Sequence, residues 1–105
     1  MKFINLTSHT INEVTTGQEF PTTGRVARTK TFTDEVDNIE GCPIYTTETG
    51  ELYGLPQRVE GVTYIVSALA LNAVPSDRTD VVAPGNLQRD EHGKPIGCMG
   101  FRRKV

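Results

Sequence analysis

The chain has 105 residues, 13 acidic against 11 basic side chains, ten Gly, six Pro and no Trp, with 36% of residues apolar. That length supports one domain over residues 1–105 with a thin core. A net charge of −2 excludes a strong overall field toward nucleic acid or a membrane surface.

In chain order, Lys2–Leu6 reads as a first strand, Thr7–Thr10 as a polar corner and Ile11–Val14 as a second extended piece. Thr15-Thr16-Gly17-Gln18 and Pro21-Thr22-Thr23-Gly24 carry turn residues. Arg25–Thr33 alternates Thr and basic residues around Val26, Ala27 and Phe32, the composition of a half-exposed strand near a sheet edge. The acidic stretch Asp34–Gly41 lacks a pattern and is expected as a surface loop. Pro43–Glu48 and Glu51–Tyr53 are expected as a hairpin turning at Thr49-Gly50.

Val62–Pro75 is the longest nearly uncharged run and changes character halfway. Val62–Val66 is β-branched and aromatic, hence a strand. Ala68–Ala73 is Ala/Leu-rich, hence about two turns of helix, with Ser67 as its N-cap and Pro75 beyond its end. Ser76–Asp80 is a polar loop, and Val81-Val82-Ala83 a short buried strand ended by Pro84-Gly85. Leu87–Arg89 and Pro95–Met99 flank Asp90-Glu91-His92-Gly93, a hairpin loop opened by Asp and closed by Gly. The class is α+β: a mostly antiparallel or mixed small sheet, or a partly closed barrel, with one short helix. A crossover from Val62 to Val82 would supply one parallel pair.

No stretch approaches the length of a membrane span, and the N-terminal apolar residues stop at Thr7, short of a signal segment. The expectation is a cytoplasmic protein with Cys42 and Cys98 as reduced, buried thiols. His9, His92, Cys42 and Cys98 are too dispersed for a metal motif, so neither metal nor cofactor is expected. Ser67 sits at a strand-to-helix junction but lacks the glycines of a nucleophile elbow, and no phosphate-binding glycine motif is present. Arg25, Arg28 and Lys30 lie along one strand near Phe32, yet the negative net charge argues against a nucleic-acid partner. No catalytic residue is therefore assigned. The candidate ligand-binding residues are His9, Arg28, Tyr64, Ser67, Arg78, Asp80, Arg89 and Asp90, around a pocket expected at the end of the Val62–Val66 strand. Terminal Arg102-Arg103-Lys104 reads as a solvated basic tail.

Four segments together carry a resemblance: Ile4–His9, Thr23–Arg28, Tyr64–Leu69 and Arg89–Cys98. Their order and spacing resemble a family of small uncharacterised proteins of tailed phages and prophages. The likeness spans nearly the whole chain, with Ser8 standing where the family has Pro. It implies no activity, cofactor or catalytic residue. It implies a mobile-element setting and the cytoplasm of an infected bacterium. The leading expectation is a phage-encoded accessory protein that binds a host component, as an inhibitor of anti-phage defence, its partner a host protein or a small nucleotide-like ligand. A small hydrolase or transferase using His9, Ser67, Asp80 or Arg89 is one alternative, and a minor virion structural protein another. Exposed strand edges also allow a homodimer.

Overall fold

In the computed structural model, which describes residues 2–104, the uncharged run divides where its composition changes. Its β-branched half is β6 (Val62–Ile65) and its Ala/Leu half is α1 (Ala68–Asn72). Ser67 caps α1: its Oγ accepts from Ala70 N at 3.2 Å, satisfying one of the amides that a helix start leaves open. The helix closes at Ala73, two residues before Pro75.

The remaining strands are β1 (Lys2–Asn5), β2 (Ile11–Glu13), β3 (Gln18–Phe20), β4 (Arg28–Ile39), β5 (Cys42–Tyr53), β7 (Val81–Arg89) and β8 (Pro95–Arg102). Six strands form one mixed sheet in the order β1-β6-β7-β8-β2-β3. β1, β6 and β7 run parallel, the last two joined by the crossover through α1. β8 runs antiparallel to β7 and parallel to β2. The sheet curls until its two edges meet. Asn5 Nδ2 on β1 donates to Phe20 O on β3 at 2.8 Å. Phe3, Phe20 and Phe101 fill the seam with ring centroids 5.1, 5.2 and 5.7 Å apart, within the range of favourable aromatic contact. The result is a nearly closed barrel.

β6 and β7 are covered on both faces. Tyr64, Val66, Val81 and Ala83 pack with Ala70, Leu71 and Val74 beneath α1. Ile65 and Val82 point into the barrel with Ile11 and Cys98. Strands buried on both faces read as unbroken apolar runs, which explains the segment's prominence in the sequence. The same alternation corrects one expectation: Tyr64 lies in the core, 3% exposed, its hydroxyl donating to Gln57 O at 3.1 Å, and no ligand reaches it there.

β7 also runs farther than expected, straight through Pro84-Gly85 to Arg89. Pro84 is tolerated because β6 pairs with β7 only through Val81 and Val82. The ladder ends with Val66 N donating to Val82 O at 2.8 Å, so at residue 84 β7 is an edge on its β6 side, where proline is tolerated.

Two strands stand apart. β4 and β5 pair only with each other, from Arg28↔Tyr53 to Ile39↔Cys42, and form an arm of 12 residues a side. At about 3.4 Å per residue the arm is roughly 40 Å long. The expected loop at Asp34–Gly41 is therefore mostly strand. The turn is Glu40-Gly41, with φ of 53° and 80°, the two left-handed residues of a type I′ connection. Thr49-Gly50 is not a turn but lies inside β5, next to a register shift. The arm makes the molecule 52 × 39 × 26 Å with a radius of gyration of 16.2 Å, against about 13 Å for a compact chain of this length.

Candidate functional site

A groove of about 660 Å³ opens where the arm meets the barrel. It lies past the carboxyl ends of the parallel strands β1 and β6, where connecting segments diverge and ligand sites of parallel sheets form. Six stretches of the chain build it: 6–11 from the corner after β1 into β2, 26–29 and 53 at the root of the arm, 67–69 at the start of α1, 84–87 on β7 and 102 on β8. A smaller hollow of about 240 Å³ continues from it, sharing His9, Ile11, Pro84 and Leu87 and reaching Asn12 and Ile96.

The corner is preorganised. Asn5, 2% exposed, donates from Nδ2 to His9 O at 3.0 Å and accepts at Oδ1 from Thr7 N at 2.9 Å. Thr7 Oγ1 donates to the same His9 carbonyl at 2.9 Å. These bonds fix the His9 backbone even though Ser8 lacks a proline's rigidity. Opposite the corner, Thr22 Oγ1 donates to Thr7 O and Thr23 Oγ1 to Asn5 O, while Ala27 N donates to Leu6 O at 3.0 Å. Residues 22–27 are thereby strapped along β1 and deliver Arg28 to the rim.

The groove's electrostatics are one-sided. Arg28, Arg102 and His9 line it, Tyr53 adds an aromatic ring, and among the described residues no Asp or Glu does, in a chain with 13 acids. Leu69 and Leu87, 47% and 58% exposed, give an apolar wall. Two guanidinium groups and a tyrosine beside apolar surface suit an anion that also carries a flat or apolar portion. Ser67 lines the groove, but its Oγ is committed to Ala70 N.

Of the eight residues singled out in the sequence, His9, Arg28 and Ser67 meet at the groove. Arg78 and Asp80 do not. They form a two-pronged pair, Nε to Oδ1 at 2.9 Å and Nη2 to Oδ2 at 3.0 Å, and Arg78 Nη2 also donates to Pro56 O at 2.9 Å. Arg58 Nη2 stands 3.6 Å from Asp80 Oδ1. The hydrogen bonds from Arg78 hold the Asp80 carboxyl below its ordinary pKa and raise that of Arg78. This cluster pins two loops to the start of β7. Arg89 and Asp90 serve the β7–β8 turn: Arg89 Nη1 donates to Gly93 O at 2.8 Å, and Asp90 Oδ1 accepts from the amides of His92 and Lys94. Asp80 and Arg89 bracket β7, which at about 3.3 Å per residue separates them by roughly 30 Å. The convergence that a hydrolase built on His9, Ser67, Asp80 and Arg89 demands is absent.

Sequence reasoning missed Tyr53 and Arg102 at the groove; Arg102, Arg103 and Lys104 are exposed, as expected of a solvated tail, but Lys104 is tethered. Lys104 Nζ donates to Asn72 O and Val74 O at 2.9 and 2.7 Å, a cation on the open carbonyls at the end of α1. It also missed Glu13, 4% exposed. Glu13 Oε1 accepts from Thr15 N and Oγ1 and from Gly100 N, and Oε2 from Thr16 N and Oγ1. The Thr15 and Thr16 hydroxyls, then the backbone amides, hold this carboxyl far below the usual carboxylate range. The available signal was Thr two and three residues after a Glu, in Glu13-Val14-Thr15-Thr16, a side-chain-closed turn. Against the expectation of two buried thiols, Cys42 is exposed at the arm's tip; Cys98 is buried as expected, and burial pushes its thiol up, the opposite of an activated nucleophile. Among the described residues no helix is long and apolar enough to cross a membrane, and no three His, Cys, Asp or Glu side chains gather as a metal site.

No family model, no curated protein and no solved structure matches the chain.

Proposed function

We propose that this chain is a phage- or prophage-encoded accessory protein that works by binding in the cytoplasm of an infected bacterium. It sequesters a host component and so inhibits anti-phage defence, holding an anionic, nucleotide-like ligand in the groove. The mobile-element setting rests on the resemblance of the four segments. The observation that carries the ligand class is the groove's lining, which pairs Arg28, Arg102 and Tyr53 and among the described residues includes no carboxylate. A phosphate would take the guanidinium groups and a base the Tyr53 ring and the leucine wall.

Isothermal titration of the purified chain with mononucleotides, linear dinucleotides and cyclic dinucleotides tests the groove. At least one class binds, and Arg28→Ala with Arg102→Ala abolishes that binding. A panel that fails throughout, or binding indifferent to both substitutions, removes the ligand reading. A plaque assay on defended hosts expressing the protein tests the setting: plating is restored by the native chain and not by the double variant. Unchanged plating sinks the inhibitor reading.

A further inference from the structure

We infer that the arm of one copy docks in the groove of a second copy, and reciprocally, giving a two-fold dimer. The inference uses the same groove as the ligand reading but depends on neither the phage setting nor the ligand.

A two-stranded ribbon standing alone in water is marginal at best, and every described residue from Phe32 to Thr47 is exposed. The register shows what the ribbon presents. Ile39 lies opposite Cys42, Asp37 opposite Ile44, Asp34 opposite Thr46 and Phe32 opposite residue 48. Positions 42, 44, 46 and 48 share one face of β5, so one face of the arm carries Phe32, Ile39 and Ile44 together with Asp34 and Asp37. The three apolar side chains are 55%, 57% and 40% exposed. An apolar stripe flanked by carboxylates is the complement of the groove, where Leu69 and Leu87 stand beside Arg28 and Arg102.

Geometry selects the occupant. Arg28, Thr29 and Tyr53, the root of the arm, are themselves part of the groove wall. A hydrogen-bonded ribbon carries its tip roughly 35 Å from that root, so a chain's own tip does not reach its own groove. Arm against arm is disfavoured, because between Phe32 and Thr47 every charged residue is acidic. Arm into groove brings opposite charges together, and the exchange repeated by a two-fold axis closes the assembly.

Sedimentation equilibrium of the full chain at micromolar concentration gives twice the 11.5 kDa chain mass. Ile39→Asp with Ile44→Asp, and separately Arg28→Glu with Arg102→Glu, each give a monomer with an unchanged circular dichroism spectrum. Exposed Cys42 then reports the contact. The native chain is mixed with a Cys42→Ser, Leu87→Cys variant and oxidised, and mass spectrometry finds a disulfide between Cys42 of one chain and position 87 of the other. A monomeric native chain, a dimer that survives both double variants, or Cys42 joined only to Cys42 overturns the proposal. The nucleotide titration is read on the Ile39→Asp, Ile44→Asp variant as well, so the two readings fail separately.

Discussion

Buried polar side chains with every partner in place act as fasteners, and Asn5 and Glu13 are the two that shape this molecule. Asn5 joins β1 to β3 and fixes the corner carrying His9. Glu13 ties β2 to the following turn and to β8. Because its folded carboxyl titrates far below the ordinary 4.5, the folded state binds fewer protons than the unfolded one in acid. The stability it contributes is complete above 4.5 and declines as pH falls below that value. Urea unfolding at pH 7 and in mild acid checks this: the native chain loses stability on acidification, and Glu13→Gln starts lower and loses less. Ser67→Ala removes the cap on α1 and costs about 1 kcal/mol in the same assay. These residues were unequally legible. Ser67 was visible because a composition change marked the junction. Arg102 and Tyr53 were not, because a groove assembled from six separate segments leaves no local spacing to read.

Helix α1 and the arm are opposite cases of how an element is held. α1 is only five residues long, too short to persist without packing, and Leu71, 1% exposed, is its main anchor. Leu71→Ala costs about 2–5 kcal/mol through the cavity it leaves. Ile39→Ala at the arm's tip, measured at concentrations too dilute for association, shifts stability by less than about 0.5 kcal/mol. Chemical denaturation of the two variants side by side checks the contrast. The same contrast explains what the sequence concealed. Alternation of apolar and polar residues marks a strand only when one face is buried. β6 and the start of β7 are buried on both faces and stand out as unbroken apolar runs instead, and the β7–β8 hairpin carries Asp/Gly turn chemistry. Residues 34–41 have neither face covered within the chain, so the outer part of β4 and its turn read as loop. That turn, Glu40-Gly41, lacks the Asn-Gly or Asp-Gly pair that usually announces a type I′ connection.

At the scale of the whole molecule, charge is partitioned. The arm, residues 28–53, holds six acids against two bases, while the remainder holds seven acids against nine bases. One basic groove therefore faces two candidate occupants, an anionic ligand and the acidic arm of another copy, and both would use Arg28 and Arg102. Two occupants of one groove exclude each other, and that exclusion is reciprocal: whatever factor the ligand takes from dimer affinity, the dimer takes from ligand affinity. A nucleotide that binds in titration accordingly shifts the sedimentation equilibrium from dimer toward monomer as it saturates. The Ile39→Asp, Ile44→Asp variant, with no arm to displace, binds the same nucleotide more tightly than the native chain, and the gain grows with protein concentration. Titrations at two protein concentrations, on both proteins, measure that factor directly. Equal affinities at both concentrations would mean that ligand and arm occupy different surfaces, and the groove would then belong to only one of them.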